Sequence, residues 1–402
     1  VNPSDGISVT SRSKELDVAL AAMDGLKREL ALTAVARDAA GGTALAERRL
    51  LRDSGLLTLA VPRQWGGQQL AWPDVLRLVR SLAEVDSSLA HLFGFQHLQV
   101  ASVLLFGSDV QKAKYLRATV DERWFWGNAV NARDTRLSVQ QSGDGYLLNG
   151  LKAFCSGARD SDVLNVSFTV GTAPTDRRFA VIPTHRAGIT VRDDWDNMGQ
   201  RQTDSGTVAF DHVLIERAEV LGPPGVASSP RATLRNLIGQ LVLTEIYLGN
   251  ARGALLSSVE HMREHVQPWP MAGVERAVDD PVMQLQAGDQ WIQLQAAEAL
   301  ADRALEHFQR AWDAGDSLTA EQRGALSLDI AAARVHAGRV ALHVTSEIFE
   351  LVGARSTARK HGFDRFWRNV RVHTLHDPLD HRKKAVGRWL LTGDIPDPFG
   401  YG

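Results

Sequence analysis

The sequence predicts an α+β fold in three successive parts: a helical block, a small strand domain and a bundle of long helices. Three observations carry that expectation. From about Ser13 to Arg117 the chain is rich in alanine and leucine, with apolar positions three and four apart. Near Arg123 the character changes to short runs of valine, aromatic and threonine residues, separated by glycine, asparagine and aspartate turns. After Gly222-Pro223-Pro224-Gly225 the helical period returns in three long stretches. The parts are placed at 1–122 (all-helical), 123–222 (β-domain) and 223–402 (helical bundle).

Taken in order, Leu50, Leu51, Leu56 and Leu57, and then Leu76, Leu78, Val79 and Leu82, mark buried helical faces. Val61-Pro62-Arg63-Gln64-Trp65-Gly66-Gly67 reads as a proline-glycine turn between helices. A helix from Trp72 is expected to end near Val85, and Asp86-Ser87-Ser88 supplies cap residues for the next one, which carries His91 and His97. Strands are expected at Trp124 to Val130, Gly145 to Leu148, Val163 to Val170, Arg178 to Ile182, Ile189 to Arg192 and Thr207 to Ile215, forming a small barrel or sandwich. Leu234 to His265, Val282 to Ala314 and Thr319 to Leu351 make rods of roughly 45 Å at 1.5 Å per residue, the frame of a four-helix bundle.

Composition narrows the function. A net charge of -2, with arginines and acids interspersed and no basic block, gives no footprint for nucleic acid or an anionic membrane, so a small-molecule partner is expected. Cys155 is the lone cysteine, which excludes internal disulfides and multi-cysteine metal sites and fits a cytoplasmic setting. The polar opening Val1 to Thr10 has no signal-peptide core, and no later run reads as membrane-spanning. Gly-Xaa-Ser-Xaa-Gly, a P-loop, Gly-Xaa-Gly-Xaa-Xaa-Gly and His-Glu-Xaa-Xaa-His do not occur, so neither a nucleophile elbow, ATP, a Rossmann-bound nicotinamide nor a catalytic metal is supported.

The densest chemistry lies in Arg368-Asn369-Val370-Arg371-Val372-His373-Thr374-Leu375-His376-Asp377-Pro378. Phe363, Phe366, Trp367 and Val370 give the preceding helix a buried face. Asp377 before Pro378 looks like the cap of a further helix, which leaves His373 and His376 at a junction suited to exposed, oriented side chains.

Four motifs then add a resemblance covering nearly the whole chain. Gly55-Leu56-Leu57 with Val61 to Gly67, Asn149-Gly150-Leu151-Lys152-Ala153-Phe154-Cys155-Ser156-Gly157, Met198-Gly199-Gln200-Arg201-Gln202-Thr203-Asp204-Ser205-Gly206 and Phe210-Asp211-His212-Val213 stand in the order of the acyl-CoA dehydrogenase fold, which the chain resembles. In dehydrogenases of that fold a glutamate after a tyrosine removes the proton alpha to the thioester. Lining up Arg368-Asn369-Val370-Arg371 with the family's helix places His376 at the tyrosine and Asp377 at the glutamate. A carboxylate drawn back by one methylene moves by about an ångström, which can cost on the order of 100-fold. His-Thr-Leu-His-Asp-Pro, with Trp195-Asp196-Asn197-Met198-Gly199 upstream, is instead similar to the flavin-dependent monooxygenases of this fold, the dibenzothiophene monooxygenases and sulfur-acquisition oxidoreductases.

That resemblance implies a two-component system. A separate NAD(P)H-flavin reductase would deliver reduced FMN, with FAD as the alternative; O2 would form a C4a-hydroperoxide, and one oxygen atom would pass to a small organosulfur or aromatic heteroatom compound. It also implies a homotetramer assembled through the bundle. Hydroxylation at nitrogen or on a ring, acyl-CoA dehydrogenation and non-catalytic flavin binding are the competing functions.

The resemblance, together with the chemistry and neighbours of individual residues, singles out candidates, each with an ordinary alternative. His376, supported by His373, is the expected proton donor to the distal oxygens, because imidazole titrates in the useful range; the alternative is a helix-end histidine bonded to local carbonyls. Ser156 is expected beside flavin N5 and C4a, or else it is a turn serine. Asn128 falls at a flavin-contacting strand end, with Asn131 as a second amide or an ordinary turn residue. His97, with Phe93, Phe95 and Leu98, is expected at the substrate pocket or in the core. Trp195 would stack near the flavin or fill core, and Arg276 would reach the phosphate of a neighbouring subunit's cofactor or remain a solvated surface arginine.

Overall fold

The computed structural model describes residues 13–131, 133–173 and 176–397. Its first part consists of α1 (Lys14–Ala31), α2 (Ala34–Ala40), α3 (Leu45–Asp53), α4 (Trp72–Ala83), α5 (Ser87–Phe106) and α6 (Asp109–Asp121). Local chemistry starts three of these helices. Ser13 accepts from the Leu16 amide and Asp86 from the Leu89 amide, while Ser108 and Gln111 form a reciprocal capping box. α5 corrects one expectation: it is long and apolar enough to cross a membrane. Its apolarity serves the interior instead, because most of the helix is buried against α4, the first strand and the long helix that opens the bundle.

The second part holds β1 (Trp126–Ala129), β2 (Leu137–Ser142), β3 (Gly145–Lys152), β4 (Val163–Thr169), β5 (Arg177–Pro183), β6 (Ile189–Val191) and β7 (Val208–Ile215). β1, β4 and β5 form one sheet, with β1 parallel to β4; β2, β3, β7 and β6 form an antiparallel second. Both sheets turn their apolar faces onto one shared core, including Leu148, Val166, Ile182 and Val213, which gives the barrel-like arrangement. β2 was absent from the sequence expectations. Its Leu-Ser-Val-Gln-Gln-Ser run is mostly exposed and polar, and pairing with β3, not burial, makes it a strand.

The third part is a helical bundle of α7 (Leu234–His265), α8 (Pro281–Asp313) and α9 (Ala320–Val352), with α10 (Asp364–Thr374) and α11 (Leu379–Thr392) packed on α9. α7 is the hub, contacting α4 and α5 from the first part and α8, α9 and α10 from its own. Glycine permits the closest of these approaches: a Cβ at Gly249 would lie 2.2 Å from Arg80 O, and one at Gly253 2.0 Å from Glu84 O. One continuous apolar core therefore joins the helical parts, and the strand domain is held against it through β1 and α5.

Candidate active site

A cavity of about 570 Å³ opens where the three parts meet. α5 contributes His91, Phe95 and Leu98; the strand domain gives Asn128, Ser156, Trp195 and Ser205; α7 gives Arg235, Gln240 and Leu243; the α10–α11 junction gives His373, His376 and Asp377. Its charged lining is lopsided, with Arg133, Arg177, Arg235 and Arg382 against the single carboxylate of Asp377.

Ser156 is presented by the turn that follows β3. Phe154 takes a left-handed φ of 59°, unusual for an aromatic residue, and lies half exposed in the cavity wall. Two backbone bonds pin the turn: the Cys155 amide donates to Gly206 O and the Gly157 amide to Thr203 O, each at 3.0 Å. The Ser156 carbonyl in turn accepts from the Asn128 amide at 3.0 Å, so Ser156 and Asn128 share one rigid ledge. Asn131 also lines the cavity; its carbonyl accepts from Lys152 Nζ at 2.8 Å, and burial lowers the pKa of that amine to about 8. Trp195 lines the cavity too, edge-on to Phe154 at 6.0 Å, and donates Nε1–H to Gln200 O at 2.8 Å.

Three histidines stand along one wall. His91 stacks between Phe95 (ring centroids 4.0 Å apart) and His373 (5.0 Å), and its Nε2 is 2.9 Å from Ser156 Oγ. Burial lowers the His91 pKa to about 3, with His376 adding to the effect. His373 is likewise pushed well below the usual value, by burial first and then by His91 and His376. His376 is exposed and lines the cavity, yet desolvation by the surrounding protein, and then the Arg334 guanidinium, lower its pKa to about 4. This corrects the expectation of a histidine titrating near neutrality. All three rings are neutral at pH 7, so each can offer one N–H and one lone pair, but none stores a proton.

Asp377 also departs from expectation. It does not cap α11, whose first turn begins after Pro378 with no side-chain cap. Its Oδ2 instead accepts from Arg334 Nη1 (2.8 Å) and from Arg382 Nε (2.8 Å) and Nη2 (2.5 Å). Burial raises the carboxyl's pKa, but the two guanidiniums outweigh it and leave the value below the ordinary one. Arg334 is fully buried on α9, so this carboxylate is its counter-charge and a poor base.

The cavity thus gathers Asn128, Asn131, Ser156, Trp195, His373 and His376, while two expected residues lie elsewhere. His97 does not line it. The ring is buried edge-on to Phe93 at 4.8 Å with a pKa lowered to about 3 by desolvation. His91, Phe95 and Leu98 fall on one helical face at spacings of four and three, and His97 falls on another. Arg276 sits on the surface, outside its own chain's cavity, and forms a two-pronged pair with Asp279, both bonds 2.7 Å. His91 was passed over by sequence reasoning, although that shared face with Phe95 and Leu98 was a usable signal. Among the described residues no group of three or more His, Cys, Asp or Glu side chains is placed to hold a metal ion.

With this geometry in view, the family is clear. Three acyl-CoA dehydrogenase domain patterns match in order: the N-terminal domain over residues 15–123, the middle domain over 126–213 and the C-terminal domain over 241–381. The chain belongs to the acyl-CoA dehydrogenase family. Within it, the chain is 44% identical to a dibenzothiophene monooxygenase of Mycolicibacterium goodii, over 93% of each chain. It is 42% identical to a probable FMNH2-dependent monooxygenase, SfnC, of Pseudomonas putida, over 95% of this chain and 97% of that one. Its fold superimposes with a TM-score of 0.91 on TdsC of Paenibacillus sp. A11-2 in complex with FMN and indole, at 41% identity, covering 96% of this chain and 99% of that one.

Proposed function

We propose that this protein is a two-component, reduced-FMN-dependent monooxygenase that oxygenates a small organosulfur or aromatic heteroatom compound. One observation carries the choice over dehydrogenation: the carboxylate at the position of the dehydrogenase base is clamped by Arg334 and Arg382, while neutral imidazoles wall the cavity beside it.

The cavity suits FMN on physical grounds. Its volume of about 570 Å³ lies within the roughly 300–1,000 Å³ of small-molecule sites. The arginine-rich lining favours an anionic ligand, and buried ring nitrogens of His91 and His373 have no protein partner. Ser156 and Asn128 would hold the polar edge of the ring system, with Asn131 and Trp195 at its margin. Arg276 could reach a phosphate only in the cavity of a second subunit, which fits a homotetramer. Bound reduced FMN supplies two electrons for activating O2, so that one oxygen atom goes to the substrate and the other leaves as water.

The chain's own residues have three tasks. Phe95, Leu98, Leu243 and Val372 exclude water from one side of the cavity. His376 offers a neutral N–H to developing negative charge on oxygen, and His373 backs it with a ring whose backbone carbonyl accepts from Tyr247 at 3.0 Å. Asp377 keeps Arg334 and Arg382 in place and takes no proton. The same reading assigns a separate NAD(P)H-flavin reductase and a cytoplasmic setting.

The test supplies FMN, a flavin reductase, NADH and O2 to the purified protein with dibenzothiophene or a small sulfinate, and follows sulfur oxidation and released peroxide. Oxygenated product supports the proposal. Anaerobic bleaching of a tightly held flavin by acyl-CoA, with no oxygenated product, would replace it with dehydrogenation.

A further inference from the structure

Two chains of hydrogen bonds end at the ledge made by Ser156 and Asn128, and each has a fixed direction. The first begins at the Gln200 carbonyl, which accepts from Thr203 Oγ1 at 2.9 Å and from Trp195 Nε1 at 2.8 Å. A carbonyl has no proton to give, so the Thr203 hydroxyl spends its one proton there. Ser205 Oγ donates to Thr203 Oγ1 at 2.8 Å, which uses the Ser205 proton as well. At the 2.7 Å contact between Ser156 Oγ and Ser205 Oγ, Ser156 must therefore be the donor. With that proton committed, the 2.9 Å contact to His91 needs the histidine to carry its proton on Nε2 and to donate. His91 is neutral, and its Nδ1 lies against no acceptor that would hold the proton there instead. Ser156 Oγ is left with one lone pair and no proton for a ligand.

The second chain begins at Arg235, which has only protons to give. Its Nη2 lies 3.3 Å from Gln99 Oε1, which also accepts from Asn165 Nδ2 at 2.7 Å. The Gln99 amide is thereby oriented, and its Nε2 donates to Asn128 Oδ1 at 3.0 Å. Asn128 turns its NH2 to any ligand. The ledge offers an acceptor at Ser156 and a donor at Asn128, and neither can rotate without breaking a buried bond.

We infer that Thr203 and Ser205 are positioning residues that make the site select reduced over oxidised flavin, by holding Ser156 as an acceptor for a ligand N–H. The inference rests on the FMN reading above. The dihydro ring carries N5–H, which Ser156 can accept, whereas oxidised N5 carries a lone pair and would face another. An unmet, desolvated acceptor pair costs enough to discriminate by about 10-fold or more.

The experiment measures dissociation constants for oxidised FMN in air and for photoreduced FMN anaerobically, together with the midpoint potential of bound FMN. The wild-type protein is expected to bind the reduced form at least about 10-fold tighter, raising the bound potential by about 30 mV for the two-electron couple. Thr203→Val frees the Ser205 proton to point at Ser156, and Ser205→Ala removes the acceptor for the Ser156 proton. Either change lets Ser156 donate to oxidised N5, so the ratio should collapse towards unity, mainly through tighter oxidised binding. Thr203→Ser should restore it. Variants that weaken both forms in parallel at an unchanged ratio, or a wild-type protein indifferent to flavin redox state, overturn the inference and leave the monooxygenase reading standing. A wild-type protein that binds neither form overturns both.

Discussion

Lowering the pH from 7 to 5 charges histidines in the unfolded chain while leaving the buried ones of the folded chain neutral. His91, His97 and His373 are each nine-tenths or more buried, and desolvation holds His91 and His97 at about 3 and His373 well below its ordinary value. In the unfolded chain each titrates near about 6.5. Below that pH the unfolded state binds more protons, so stability falls as pH falls. Each histidine costs about 1.4 kcal/mol per pH unit, hence about 2 kcal/mol by pH 5, and the three together about 6 kcal/mol. That loss rivals the whole stability of many domains, about 5–15 kcal/mol. Asp377 and Asp134, whose pKa values are also depressed, act in the same direction only at lower pH, because unfolded aspartate titrates near about 3.9. The assay is urea denaturation at pH 7, 6 and 5, for the wild type and for His97→Leu, a change at a residue outside the cavity lining. The wild-type slope should reach at least about 4 kcal/mol per pH unit at the acid end, with the lowered His376 adding to it, and the variant should lose about 1.4 kcal/mol per pH unit of that slope. Parallel pH profiles for the two proteins, or a wild-type loss under about 1 kcal/mol, would refute the assignment of these rings as buried and neutral.

Three further outcomes are expected. His376→Ala should cut oxygenated product by about 100-fold while FMN affinity stays within about twofold, since the imidazole offers one hydrogen bond to oxygen and none to the ledge; unchanged turnover in a stopped assay removes it from the reaction. Asp377→Asn strips the counter-charge from fully buried Arg334 and should cost about 3–5 kcal/mol, read as a lowered urea midpoint; a stability like the wild type's would mean the guanidinium is solvated after all. Arg276→Ala should weaken FMN binding about 10-fold in the assembled protein without altering the fold of one chain; wild-type affinity would move the phosphate to the cavity arginines.

What the sequence disclosed followed linear order. The Asp86 cap lies within three residues of the amide it satisfies, so the start of α5 was legible. His373, His376 and Asp377 were conspicuous because they are near neighbours in the chain. Their chemistry was not, because it depends on residues far away: Arg334 lies 43 positions from Asp377, and Ser205 lies 49 from Ser156. The near-neutral titration expected of His376 failed for the same reason, since burial and the Arg334 charge arise only on folding. β2 escaped notice because partnership with β3, and not an apolar pattern, defines it. The choice of His97 over His91 was avoidable, because helical phase separates them.

The burial of α5 on all sides has an evolutionary corollary. His91, Phe95 and Leu98 line the cavity from a helix that is also the keel of the whole molecule, so exchanging them for a new substrate taxes folding at once. Phe154 and Leu375 border the same space from exposed turns, at 54% and 59% accessibility, and can change without such a penalty. Drift in substrate preference among descendants of this protein should accumulate at those two positions first.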